Sequence, residues 1–148
     1  REWPYSSRPE RLQPMAVLRD DRMALRSVDD IIKARQLVRE SAIAQGLSLV
    51  DQTKLITAAS ELARNTLVHG GGGDMQLEVL NDGARRGVRV TFSDQGPGIP
   101  DVALAMKDGY STRGGLGLGL GGTKRLVNEF AIESLPGKGT KVTILRWR

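Results

Sequence analysis

The sequence predicts an α+β fold, a two-layer sandwich with helices packed on one face of a mostly antiparallel sheet. Two long stretches, at about 28–45 and 49–69, follow one another with apolar residues at helical spacing. Two later stretches, Met75 to Phe92 and Phe130 to Trp147, each contain two alternating segments around a turn signature. The resulting order is helix, helix, two strands, loop, helix, two strands, which sets helices against a sheet made of hairpins. With 148 residues and 39% hydrophobic content, the chain supports one domain, taken as 15–148, with one core.

The elements follow in chain order. Residues 1–14 carry three prolines, three arginines and no hydrophobic periodicity, and read as a flexible tail. The chain opens on Arg1, which suggests a processed end, a vector-derived remnant or a fragment, with Met15 as an alternative start. Met15 to Arg19 and Arg22 to Arg26 form either a hairpin or one bent strand interrupted at Asp20-Asp21. Ser27 or Asp29 caps the first helix, and Gly46 stops it. Ser48-Leu-Val-Asp51 is a capping box with Asp in the usual Glu position, and Leu55, Ala58, Ala59, Leu62 and Ala63 give the second helix an apolar stripe. That helix runs into Gly70 to Gly73, a run able to turn sharply or to approach a ligand by its backbone. Asn81-Asp-Gly83 turns the first hairpin. Its second strand delivers Asp94 to the head of the turn Asp94-Gln-Gly-Pro-Gly-Ile-Pro100. Asp101 to Lys107 reads as a short helix. Gly109 to Gly122 reads as a mobile loop feeding a third helix, about 120–129. The second hairpin turns at Pro136-Gly-Lys-Gly139.

Composition narrows the function classes. The chain has no Cys and one His, which removes disulfides and thiolate metal sites and leaves no basis for zinc. No apolar run reaches the ~20 residues of a membrane span, and the N-terminus lacks the apolar core of a signal peptide, so the expected compartment is cytoplasmic. The net charge of +5 is spread over 22 scattered basic residues, and aromatics make up only 4%. That pattern favours acidic partners and phosphates over nucleic acid, which needs a basic stripe and stacking platforms.

Two features carry candidate chemistry. Residues four apart on a helix are rotated by only about 40°, so Glu61, Asn65 and His69 form one polar stripe on the second helix. The stripe offers a carboxylate base and a neutral oxygen ligand at fixed spacing; taken alone, it reads more readily as a solvated helix face, since Glu and Asn are ordinary surface residues. The second feature is Gly115 to Gly122. Gly117-Leu-Gly-Leu-Gly-Gly122 satisfies G-x-G-x-x-G but lacks the βαβ context of a dinucleotide site, and Thr123-Lys124 reverses the order a P-loop requires. What remains is glycine-rich backbone whose N–H groups can converge on phosphate, ahead of a helix N-terminus, or else a flexible linker.

Glu61-x-x-x-Asn65, Asp94-x-Gly96-x-Gly98 and Gly115-Leu-Gly117-Leu-Gly119 occur in the order and approximate spacing of three motif boxes of the GHKL ATP-binding superfamily, which the chain resembles over roughly 17–147. Within it, 51–73 and 109–130 look most like bacterial anti-sigma-factor-type serine kinases of the RsbT switch-kinase type. The resemblance implies a Bergerat ATP-binding fold, with ATP and Mg²⁺ as cofactors. It casts Glu61 as general base, Asn65 as metal ligand, and Asp94, with Gly96 and Gly98, at the adenine. Thr112, Gly115, Leu116, Gly117, Leu118 and Gly119 would belong to a phosphate lid spanning Tyr110 to Gly122. Arg113 and Lys124 are either phosphate-neutralising cations or solvated ones, and His69 is either a helix cap or a neighbour of the nucleotide. The implied substrates are STAS-domain antagonist proteins, with a serine phosphatase or sigma factor as second partner. The alternative is a nucleotide-regulated binding module without essential catalysis. A sensor histidine kinase is excluded because the only His lies inside the candidate ATP site.

Overall fold

The computed structural model describes residues 15–107 and 119–148. The elements are β1 (Ala16–Leu25), α1 (Val28–Ala44), α2 (Leu49–Val68), β2 (Gly73–Asn81), β3 (Arg86–Asp94), α3 (Val102–Ala105), α4 (Gly119–Lys124), β4 (Glu129–Ser134) and β5 (Thr140–Trp147). The five strands form one sheet in the order β1-β2-β3-β5-β4. Every pairing is antiparallel, so the expected mostly antiparallel sheet is wholly so among the described residues.

The N-terminal segments resolve as one strand. Asp20 and Asp21 remain in register opposite Glu78 and Leu77, with a single irregularity between Val17 and Arg19. Their carboxylates are engaged locally: Asp20 accepts from Gln76 Nε2 at 3.2 Å, and Asp21 pairs with Arg19. The acidic pair therefore does not break the strand.

Both long helices start as their sequences dictate. Ser27 Oγ accepts from Asp30 N–H, and Ser48 Oγ accepts from Asp51 N–H at 3.1 Å. The capping box is only half of what its pattern suggests, because Arg146 on β5 donates to the Asp51 carboxylate. That contact ties the start of α2 to the sheet, and the arginine holds the Asp51 carboxyl below the usual carboxylate range. α1 ends at Gly46, whose φ of 81° lets Leu47 N–H return to Ala42 O at 3.0 Å.

The third long helix is shorter than its sequence suggests. α4 stops at Lys124, after which Leu126 and Val127 turn back on Thr123 and Lys124, and Asn128 is drawn into the sheet. Asn128 N–H donates to Leu145 O at 2.9 Å, and its side chain accepts from Trp147 N–H at 2.7 Å. Two bonds to β5 outcompete continuation of a helix already weakened by Gly121 and Gly122. A helix this short carries little dipole and gives a phosphate little at its N-terminus.

The core lies between α1 and α2 and the facing residues of the sheet. Leu55, Leu62, Met75, Leu77, Val90, Phe92, Phe130 and Ile144 are all buried there. A smaller cluster of Leu80, Leu145 and Trp147 occupies alternate positions, on the other face of the sheet.

Candidate functional site

The site begins with α2. Leu55, Ala58, Ala59, Leu62, Ala63 and Thr66 bury one side of this helix, and the polar stripe runs along its flank, beside the buried Leu62 and Thr66. Glu61, Asn65 and His69 all border one cavity of about 440 Å³. His69 is the C-cap residue, its backbone N–H donating to Asn65 O, and it borders the cavity as well, so it stands at the helix end and at the cavity at once.

Asp94 reaches the same cavity from the end of β3, 29 residues beyond Asn65 in the chain. Strand register brings it there: Asp94 lies opposite Gly73 of β2 and opposite Thr140 of β5. Its Oδ1 accepts from Gly96 N–H at 2.9 Å, an Asx turn that fixes the carboxylate. Two glycines make room for it. A Cβ at Gly70 would lie 2.6 Å from Asp94 Oδ2, and one at Gly96 would lie 2.7 Å from Gly70 Cα. The glycine run after α2 therefore approaches the aspartate side chain.

The loop after Asp94 is packed against the β4–β5 turn. Gly98, at φ 76°, leaves no room for a Cβ beside Leu135 O, and Gly139, at φ 82°, leaves none beside Asp94 O. Gly137 N–H donates to Pro97 O at 2.7 Å. The cavity is thereby walled by Leu62, Phe92, Ile99, Ala105, Leu120 and Val142, with Asp94 and Thr140 among the polar groups at one part and Glu61, Arg64 and Asn65 along α2. Apolar walls with a fixed carboxylate suit a heterocycle that carries an amino group.

Of the residues singled out from sequence, Glu61, Asn65, Asp94, Gly98 and Gly119 border the cavity. Gly96 does not border it and acts through Asp94 instead, by its N–H and its missing side chain. Lys124 is not in the lining either. Thr112, Arg113, Gly115, Leu116, Gly117 and Leu118, and with them the expected lid, lie outside the described residues, as does the tail 1–14. Sequence reasoning missed Thr140, Arg64 and the apolar walls. Thr140 has no local signal: only strand register sets it opposite Asp94. Among the described residues no cluster of three His, Cys, Asp or Glu side chains forms a metal cage. No described helix is long and apolar enough to cross a membrane.

The chain is similar to known proteins. The chain is 47% identical to the serine/threonine-protein kinase RsbT of Bacillus subtilis over 118 residues, 80% of this chain and 89% of that one. It is 28% identical to an anti-sigma F factor of a Thermoanaerobacter species over 120 residues, 77% of this chain and 82% of that one. The crystal structure of the RsbU and RsbW domains of a Mycobacterium tuberculosis protein superposes with a TM-score of 0.61 at 22% identity, over 88% of this chain and 32% of that larger one, a likeness of fold. The family model for histidine kinase-, DNA gyrase B- and HSP90-like ATPases matches residues 50–148, the segment that holds every residue bordering the cavity, and the chain belongs to that family.

Proposed function

We propose that this protein is an ATP-dependent serine protein kinase that phosphorylates STAS-domain antagonist proteins in partner-switching stress signalling. The observation that carries the reading is the convergence of Glu61 and Asn65 on α2 with Asp94 on β3 around one cavity. Asp94 accepts the exocyclic amino group of adenine, while the apolar walls take the two faces of the ring. The phosphates then extend toward α2.

The donor set there fits Mg²⁺. A carboxamide oxygen and a nearby carboxylate are hard oxygen donors, the kind Mg²⁺ would take beside phosphate and water oxygens. Asn65 would hold the ion, which when bound supplies charge neutralisation to the triphosphate. Among the described residues, neither the Glu61 nor the Asn65 side chain has a hydrogen-bond partner, which leaves both available to ligands. Glu61 takes the proton of the incoming serine hydroxyl as its oxygen attacks the γ-phosphorus and the bond to the ADP oxygen breaks. The RsbT relative, named as a serine/threonine-protein kinase, supports transfer to a protein hydroxyl. Relatives named as anti-sigma F factors support a second, binding partner such as a sigma factor or a phosphatase.

The test mixes purified protein, Mg-[γ-³²P]ATP and candidate STAS proteins, with Glu61→Gln as control. Label on a partner serine that disappears with the variant is expected. Tight nucleotide-dependent association with no label on any partner would instead establish a binding module.

A further inference from the structure

We propose that Ser134, which is not among the residues bordering the cavity, is a positioning residue that sets base selectivity by fixing the direction of the Thr140 hydroxyl. The inference rests on the reading of the cavity as an ATP site. Ser134 Oγ has three partners: Ile99 N–H at 2.8 Å, Gly139 O at 3.1 Å and Thr140 Oγ1 at 2.9 Å. A hydroxyl has one proton and two acceptor positions. The Ile99 N–H fills one acceptor position. The Gly139 carbonyl can only accept, so it takes the Ser134 proton. The remaining acceptor position therefore receives the Thr140 proton, and all the capacity of Ser134 is used.

Thr140 borders the cavity and lies opposite Asp94 in the sheet. With its proton committed to Ser134, Thr140 offers the cavity only lone pairs. Asp94 offers a carboxylate whose Oδ1 already accepts from Gly96. Side-chain groups at this end of the cavity are thus acceptors, matched to a purine with an amino group at position 6 and mismatched to one with a carbonyl there. The same hydroxyl joins the loop after Asp94 to the β4–β5 turn through Ile99, a wall residue. Removing it both frees the Thr140 proton to turn toward the cavity and strips a partner from Ile99 N–H.

The experiment measures the affinities of mant-ATP and mant-GTP, with Mg²⁺, and kcat at saturating ATP, for the unmodified protein, Ser134→Ala, Ser134→Thr, Thr140→Val and the double variant Ser134→Ala with Thr140→Val. The unmodified protein is expected to prefer the adenine nucleotide. Ser134→Ala should lower the ATP-to-GTP preference about fivefold, the size of one net hydrogen bond, with kcat at saturating ATP unchanged. Ser134→Thr, which keeps a hydroxyl, should restore the preference. Thr140→Val should lower it in its own right, and in the double variant the two effects should not add, because both act through one hydroxyl pair. Equal weakening of both nucleotides by Ser134→Ala, or an unchanged preference, would overturn the inference while leaving the ATP site standing. Failure of the unmodified protein to bind either nucleotide would remove the ATP reading and this inference together.

Discussion

Replacing Gly70 by Ala tests whether the fixed carboxylate of Asp94 is what recognises the nucleotide. The added Cβ would lie 2.6 Å from Asp94 Oδ2, against an ordinary van der Waals contact of 3.4–4 Å, so the carboxylate or the glycine backbone must move by roughly 1 Å. Gly70 does not have a positive φ, and alanine there brings no conformational strain of its own. The perturbation is therefore steric and aimed at one side chain. Crowding of this kind typically costs ~1–3 kcal/mol in stability. A ~1 Å misplacement of a recognition group can cost ~100-fold in function, so the dissociation constant for Mg-ATP should rise far more than stability falls. Gly71→Ala is the matched control: its φ is 75° and a Cβ there meets nothing within 4 Å, so alanine introduces backbone strain without touching Asp94. That substitution should lower the melting temperature by a comparable few degrees and leave ATP affinity within about twofold. Calorimetric titration with Mg-ATP, beside thermal unfolding of the same samples, reads both quantities. Unchanged ATP affinity in Gly70→Ala, or equal affinity losses in the two variants, would refute the argument that Asp94 is the recognition group.

Three further outcomes are expected. Asp94→Asn should weaken ATP binding about tenfold, because a charge-assisted bond to the adenine amino group gives way to a neutral and reorientable amide; fluorescence titration with mant-ATP measures it, and an unaltered constant would exclude the carboxylate from base recognition. Asn65→Ala should remove the Mg²⁺-dependent part of nucleotide binding, whereas Glu61→Gln should keep binding and lose ~10²–10⁴-fold in transfer, since a base acts mainly in the transition state; parallel loss of binding in both would contradict the division of roles. Finally, Arg146 holds the Asp51 carboxyl below its ordinary range, so the stability this pair contributes is present above the unfolded pKa near 4 and is lost as pH falls through the lower folded value. Asp51→Asn should lower stability at pH 7 by ~1–2 kcal/mol, and the gap to the unmodified protein should close below about pH 4 in a melting series; a gap independent of pH would rule out the ion pair as its source.

Both long helices, both hairpins and the polar stripe were legible because they are local. Periodicity over 17 and 20 residues, Ser27 and Ser48 as caps, and Asn81-Asp-Gly83 as a turn each act within a few residues of one another. What was not legible depends on partners distant in the chain. The end of α4 is decided by Asn128 bonding to Leu145 and Trp147, and the Asp51 carboxylate goes to Arg146 instead of completing its box. The motif resemblance named Asp94 but gave no reason for Gly70, whose role is to be absent where the carboxylate stands. Thr140 and Ser134 carry no motif signal strong enough to be singled out without strand register.

Register is also why the site has two differently built ends. Glu61 and Asn65 depend only on α2 being helical, a condition that the spacing of four residues satisfies by itself. Asp94 depends on the pairing Gly73, Asp94, Thr140 across three strands, and a slip of one residue between β3 and β5 would turn it to the other face of the sheet. The glycines then lock what register selects: a Cβ at Gly70 would meet the Asp94 side chain, one at Gly139 the Asp94 backbone carbonyl, and one at Gly96 the backbone of Gly70. Recognition of a rigid ring requires such fixity, because a misplaced acceptor loses its bond without a compensating one. Phosphoryl transfer requires less of the chain's own scaffold beforehand, since metal and phosphates supply most of each other's ligands once bound. On the proposed reading, the division places conformational precision at the end that would take the base and sets Glu61 and Asn65, on a helix that needs no such register, at the end that would take the phosphates, the arrangement expected where one nucleotide must be selected and a second protein must still gain access to it.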